Sequence, residues 1–165
     1  MAPRVNRARV SGALAGLQMA VVRILVGFLA ALGCGYLLSA AFLTSQTLSA
    51  YPGFKVTPAA FAETFAMNVT GLAAGSPYIA ILAVCFAVAF LIAAAAKRLV
   101  KPLAPVAYVI AGAAALPSLF YLVETVMLGG GVGAFFGARD PVDLALQALA
   151  GAVGGLAFTL IAVRK

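Results

Sequence analysis

The sequence predicts an all-α membrane protein built as a four-helix transmembrane bundle, and two observations carry this prediction. Of the 165 residues, 65% are hydrophobic and only 9% are charged, and a water-soluble domain could not bury that much apolar surface. The chain also contains four apolar stretches, each close to the roughly 20 residues that a helix needs to cross a bilayer. We place these spans at about 24–44, 78–96, 105–128 and 144–163 within a single transmembrane domain covering residues 1–165.

Charged residues are distributed unevenly between the loops, and this distribution predicts a topology. Nine of the eleven basic residues cluster before the first span, between the second and third spans, and at the C-terminus: Arg4, Arg7, Arg9, Arg23, Lys97, Arg98, Lys101, Arg164 and Lys165. The other two, Lys55 and Arg139, fall in the other loops. The acidic residues lie in or near the other loops: Glu63, Glu124, Asp140 and Asp143. The positive-inside rule therefore places both termini and the 97–104 loop in the cytoplasm. The net charge of +7 indicates topology and does not predict nucleic-acid binding.

The abundance of Ala and Gly suggests a bacterial source, so we expect a multi-pass protein of the bacterial inner membrane, with the lipid bilayer as its first partner. Ser39-Ala40-Ala41 resembles a signal-peptide cleavage site, but the apolar run before it is too long for the apolar core of a secretory signal. We expect a retained first helix, preceded by a basic tail in which Ser11 caps a short helical extension.

The segment 45–76 is predicted to be an outer loop that contains a short helix at about 58–68. Thr57 is a suitable N-cap and Pro58 suits the first helical position, while Gly71 is expected to end the helix. This helix is expected either to lie along the outer membrane surface or to pack as a lid over the bundle.

Small residues recur every fourth position on two of the spans. Small side chains allow two helix backbones to approach closely inside a membrane. We assign helix packing to Gly27, Ala31 and Gly35 on the first span and to Gly151 and Gly155 on the fourth. The third span contains Pro117, which frees the carbonyl of Ala113 and is expected to kink the helix.

Six polar residues map to the outer half of the predicted bilayer: Ser39, Ser118, Tyr121, Glu124, Thr125 and Gln147. Glu124 is the only ionisable residue well inside an apolar span, where a carboxylate is costly. We therefore expect the polar strip of the third span to face the fourth span, with Tyr121, Gln147 or Arg139 available to hold Glu124. The layer either forms an outward cavity or contact surface, or only fixes the packing.

Several site types are not expected from the sequence, and we predict no catalytic residues, no metal site and no cofactor. The chain has no His, which removes the commonest metal ligand and general base. Cys34 and Cys85 fall within apolar spans and are expected to be buried small hydrophobes. The Gly-rich segment 129–140 has no preceding strand and no Lys-Ser/Thr after it, as a phosphate-binding loop requires.

The leading functional hypothesis is a non-enzymatic accessory or structural subunit of a larger membrane assembly. Its partners are expected to be other membrane subunits or copies of itself, bound through the small-residue helix faces. The alternative is a small oligomeric transporter or channel whose outward-facing polar cavity contains Glu124.

Overall fold

A computed structural model of the chain describes residues 7–51, 56–75, 77–100, 106–129 and 140–163. The described residues are helical apart from short turns, and four helices are long and apolar enough to cross a membrane: Leu14–Ser49, Tyr78–Leu99, Ala107–Met127 and Pro141–Val163. This confirms the all-α architecture with four candidate spans. Most of the Gly-rich segment, with Arg139, lies outside the described residues, as do Arg4, Lys55, Lys101, Arg164 and Lys165.

The five helices are α1 (Arg7–Ser49), α2 (Pro58–Ala74), α3 (Tyr78–Leu99), α4 (Ala107–Leu122) and α5 (Pro141–Phe158). Helices α4 and α5 each continue into one wider, π-helical turn, at Val123–Met127 and Thr159–Val163. After the first of these turns, Gly129 adopts a φ of +77°, a left-handed conformation that costs glycine little.

Helix α1 is longer than the sequence predicted. It runs for 43 residues without interruption from Arg7, so Ser11 lies inside the helix and the predicted cap at this position is wrong. Its candidate membrane span covers Leu14–Ser49, which is longer than the predicted first span at 24–44. The reason is that no proline or other strong helix terminator occurs between Arg7 and Ser49, and Arg is itself a good helix former.

Helix α2 begins as expected and ends later than expected. The Thr57 side chain accepts a hydrogen bond from the Ala60 amide at 3.2 Å, and Pro58 occupies the first turn. The helix continues through Gly71 to Ala74. Tertiary contacts with α1 accompany this longer helix, since Asn68 Nδ2 donates to Thr44 Oγ1 at 2.9 Å and the Tyr36 hydroxyl donates to the Val69 carbonyl.

The four long helices alternate in direction, and α5 lies between α1 and α4. Gly27 of α1 is level with Phe158 and Ala162, whereas Ser39, which comes later in α1, contacts Gln147, which comes earlier in α5. Helices α1 and α5 are therefore antiparallel. We call the end with Ser49, Tyr78, Met127 and Pro141 the α2 end of the bundle. The opposite end, with Arg23, Leu99, Ala107 and Val163, is called the basic end.

Helices α4 and α5 approach so closely that their backbones touch. A Cβ atom built on Gly112 would lie 2.2 Å from the Gly151 carbonyl oxygen, and one built on Gly151 would lie 2.0 Å from the Gly112 oxygen. At Gly155 the nearest atom is the Tyr108 carbonyl oxygen, at 2.1 Å. Only glycine is compatible with these separations, so the fourth-span glycines are used inside the chain.

An aromatic cluster fills the interior between this helix crossing and the basic end. The ring of Phe90 is centred 4.5 Å from that of Phe158, 5.3 Å from Phe86 and 5.7 Å from Tyr108. Phe28 of α1 contacts Phe90 edge-on at 6.3 Å. These rings bring α1, α3, α4 and α5 together, and they occupy the centre of the bundle in this half of its length.

Candidate functional site

The structure divides the predicted polar layer into two groups. Ser39 and Gln147 are completely buried and meet in the interior. On α4, by contrast, Ser118 and Thr125 are exposed, Tyr121 is 71% exposed and Glu124 is half-buried. The expectation that the whole α4 strip faces inward toward α5 is therefore wrong.

The reason lies in the rotation of α4. Its buried face repeats every three or four residues, through Tyr108, Gly112, Ala115, Leu116 and Leu119. At 3.6 residues per turn, Ser118 and Tyr121 point away from this face, and Glu124 and Thr125 lie in the π-helical turn that follows α4. Close packing of the glycines against α5 fixes this rotation.

Three buried polar side chains, one from each of α1, α3 and α5, form a connected group. Ser39 Oγ lies 2.6 Å from Gln147 Oε1 and 2.8 Å from the Tyr78 hydroxyl. Because Ser39 has a single hydroxyl proton and donates it to Gln147, the Tyr78 hydroxyl donates to Ser39. We call Ser39, Tyr78 and Gln147 the interior triad.

Further polar contacts link helices closer to the α2 end. Gln46 Nε2 of α1 donates to Asp143 Oδ1 of α5 at 2.8 Å, and both side chains are half-buried. Thr44 is completely buried, donates to the Ala40 carbonyl at 2.7 Å and accepts from Asn68. Asp143 lies in the first turn of α5, and Asp140 occupies the N-cap position without a capping hydrogen bond from its side chain to the described part of α5.

Sequence reasoning missed Tyr78, Thr44 and Gln46 as parts of the polar interior. Tyr78 begins α3 and resembles an aromatic residue at a membrane interface, yet it is only 2% exposed. Thr44 is the last residue of the predicted first span, and Gln46 lies in the predicted outer loop. For Gln46 the available signal was its position seven residues after Ser39, which puts both on one face of the helix after two turns.

Glu124 borders an open cleft on the surface of the bundle. The cleft has a volume of about 420 Å³ and is lined by Pro117, Ser118, Phe120, Tyr121, Glu124 and Leu144. Pro117 lies inside α4, as predicted. Gln147 is not the partner of Glu124, because its Oε1 accepts from Ser39 and its Nε2 has no hydrogen-bond partner among the described residues.

Two cationic side chains, those of Arg23 and Lys97, make defined contacts at the basic end. Both Nε and a terminal nitrogen of Arg23 lie 3.3 Å from the Ile161 carbonyl, in the π-helical turn that ends α5. The Lys97 ammonium lies 5.1 Å from the centre of the Tyr108 ring, within range of a cation–π interaction. These contacts align α1, α3, α4 and α5 at one level.

The N-terminal part of α1 extends past this level. Because Gly27 is level with Phe158 and Ala162, the residues before Arg23 lie beyond Val163, the last residue described after α5. Arg7–Val22 add about 24 Å of helix at 1.5 Å per residue. Every residue from Leu14 to Val22 is exposed, including five large apolar ones: Leu14, Leu17, Met19, Val21 and Val22. We call Arg7–Val22 the α1 extension.

The described side chains provide hydrogen-bonding groups and half-buried carboxylates. Cys34 and Cys85 are free thiols and half-buried. Among the described residues, no three or more Cys, Asp or Glu side chains are grouped closely enough to hold a metal ion.

Comparisons of the chain with protein-family models, with curated proteins and with solved structures found no match.

Proposed function

We propose that this protein is a non-enzymatic accessory or structural subunit of a larger membrane assembly. The observation that carries the proposal is the α1 extension, a helix with an apolar, exposed surface that projects beyond the other spans. Contiguous exposed apolar surface of this kind marks a protein or membrane contact site. A partner that covers the extension buries this surface and holds the helix in place.

The positions of the packing glycines support a partner contact at the α1 extension rather than at the small-residue faces of the first and fourth spans, where the sequence predicted it. Gly27, Gly151 and Gly155 face neighbouring helices of the same chain, so a partner cannot use them. A Cβ atom built on Gly12 or Gly16, in contrast, would meet no heavy atom of the described residues within 4 Å, apart from its own helix and chain neighbours. Gly16 precedes Gly27 by eleven residues, close to three turns, so the small-residue face of α1 continues into the extension and is open there.

The partner is another membrane subunit or a second copy of this chain. Either would place a helix against Gly12 and Gly16 and bury the neighbouring Leu and Met side chains. A second helix that crosses at small residues gains close backbone packing, and the large apolar residues on both sides of the crossing add buried area.

The test replaces two exposed residues of the extension, Leu17→Gln and Val21→Gln, which lie one turn apart and keep a helix-compatible side chain. We expect the yield of partners that co-purify in mild detergent to fall about tenfold or more, since each lost apolar contact costs on the order of 1.5 kcal/mol. Mass spectrometry of the co-purified proteins and the size of the complex provide the measurement.

The matched control is Leu99→Gln, because Leu99 is 86% exposed at the same end of the bundle but outside the extension. This variant should keep the partners and the size of the complex. If the double variant retains both as well, the extension is not the contact surface and the proposal is wrong.

We also propose a location in the bacterial inner membrane with both termini in the cytoplasm. The arrangement of charge supports this orientation, since Arg23, Lys97 and Arg98 share the basic end, whereas Asp140 and Asp143 begin α5 at the α2 end. Basic residues favour the cytoplasmic side of a membrane. In this orientation the α1 extension projects into the cytoplasm.

A small oligomeric transporter or channel is the second candidate, and the cleft beside Glu124 is the observation that favours it. The aromatic cluster occupies the bundle centre toward the basic end, so a solute path would run along the cleft, between copies of the chain. An acidic side chain in such a path attracts cations.

For this alternative we expect liposomes containing the protein to take up small cations, and Glu124→Gln to lower the uptake rate about tenfold by removing the charge while keeping the side-chain shape. Glu63→Gln, an exposed acid on α2, is the control and should leave uptake unchanged. Equal uptake by liposomes with and without the protein would contradict the transport function.

A further inference from the structure

Two buried amide atoms at the interface of α1 and α5 have no hydrogen-bond partner among the described residues: Gln147 Nε2 and Gln46 Oε1. Gln147 is completely buried. Buried polar atoms are nearly always hydrogen-bonded in folded proteins, to protein groups or to ordered water. One atom is a donor and the other an acceptor, so a single molecule that can both accept and donate would satisfy them.

The two atoms lie on adjacent levels of the same interface. Gln46 is bound to Asp143 at 2.8 Å, and Asp143 precedes Gln147 by four residues on α5, so their side chains are neighbours on one face. Four residues correspond to about 6 Å along the helix axis. Two hydrogen bonds that meet at the tetrahedral angle of one water oxygen join atoms about 4.6 Å apart, a separation that two long glutamine side chains with anchors about 6 Å apart on α5 can reach.

Either orientation of the Gln147 amide leaves one of its two polar atoms in need of a partner. Ser39 can form a hydrogen bond with only one of the two amide atoms of Gln147: it either donates its hydroxyl proton to the amide oxygen or accepts from the amide nitrogen. If the amide oxygen and nitrogen exchanged places, the unpartnered atom would be an acceptor instead of a donor. Water satisfies either arrangement, since it has two protons to donate and two lone pairs.

We propose that the α1–α5 interface contains a binding site for one ordered water molecule, which accepts a hydrogen bond from Gln147 Nε2 and donates one to Gln46 Oε1. The site connects the interior triad to the Gln46–Asp143 pair. Water reaches it from the α2 end, where Gln46 and Asp143 are half-buried, and the aromatic cluster closes it toward the basic end. The site is internal to one chain and does not depend on the partner assembly.

The direct test uses the wild-type protein in lipid bilayers with ¹⁵N-labelled glutamine. Solid-state NMR that transfers magnetisation from water to amide protons should show a signal at the side-chain amide of Gln147, in spite of its burial. In Gln46→Met, which removes the second anchor of the water, we expect this transfer to fall about threefold or more. No transfer in the wild type, or unchanged transfer in Gln46→Met, would overturn the bridge.

A double-mutant cycle provides an independent measurement. Gln46→Met and Gln147→Met remove the two side chains that the water joins, so their effects on the unfolding equilibrium constant should be coupled by about threefold. The control cycle pairs Gln147→Met with Gln18→Met, an exposed glutamine of the α1 extension, and should show no coupling. Equal results in the two cycles would overturn the proposal.

Discussion

Gly151→Ala is expected to destabilise the bundle by about 3 kcal/mol or more, although it adds a single methyl group. The added Cβ would lie 2.0 Å from the Gly112 carbonyl oxygen and 2.9 Å from its carbonyl carbon. Backbone atoms cannot rotate away as a side chain can, so α4 and α5 must separate. Separation also breaks the neighbouring contact between Gly155 and Tyr108.

Gly33→Ala is the matched control for this substitution. Gly33 also lies in the interior of a transmembrane helix, but a Cβ built on it has no neighbour within 4 Å in the described part of the chain. Since alanine has a higher helix propensity than glycine by about 1 kcal/mol, this variant should be neutral or more stable. The two variants are thus expected to change stability in opposite directions.

The measurement is reversible unfolding in mixed micelles, followed by far-UV circular dichroism, with Leu156→Ile as a second control. Leu156 is 46% exposed, and a swap between two apolar side chains of equal size should cost little. If Gly151→Ala and Gly33→Ala shift the unfolding midpoint equally, α4 and α5 do not cross at these glycines.

A cysteine placed at Glu63 is expected to react with a membrane-impermeant maleimide on intact cells, whereas one at Arg98 should react only after permeabilisation. Both positions are exposed, so reactivity depends on the side of the membrane. Arg98 lies at the basic end, with Arg23 and Lys97, and Lys and Arg are enriched in cytoplasmic loops. We therefore expect a nearly complete difference in labelling between the two sites.

The labelling experiment uses a background in which Cys34 and Cys85 are replaced by alanine, because both are free thiols. Labelling of the Arg98 position outside intact cells, with protection of the Glu63 position, would reverse the proposed orientation. The α1 extension would then face the cell exterior, and partners would have to be sought there.

Local chemistry in the sequence was sufficient to predict the helical elements. Apolar stretches of membrane-spanning length predicted four long helices, and Thr57-Pro58 marked the start of α2. Proline at the first turn acts through the backbone of its own segment, so such signals need no knowledge of neighbouring helices. The small-residue repeats likewise identified positions where backbones come close.

Tertiary structure decided where each helix ends and which face it presents. Helix α2 continues past Gly71 where Asn68 and Val69 bond to α1, and the sequence of α2 alone does not reveal these partners.

Tertiary structure also decided which of the polar residues are buried. Periodicity fixes the angles between residues on one helix, but it leaves open which face meets which neighbour. Contact between Gly112 and Gly151 sets the rotation of α4, which turns Tyr121 outward and leaves Ser39, Tyr78 and Gln147 to form the interior triad. The sequence by itself thus determined the helices and their apolar character, whereas the contacts between helices decided which polar groups are buried together, because that choice depends on atoms far apart in the chain.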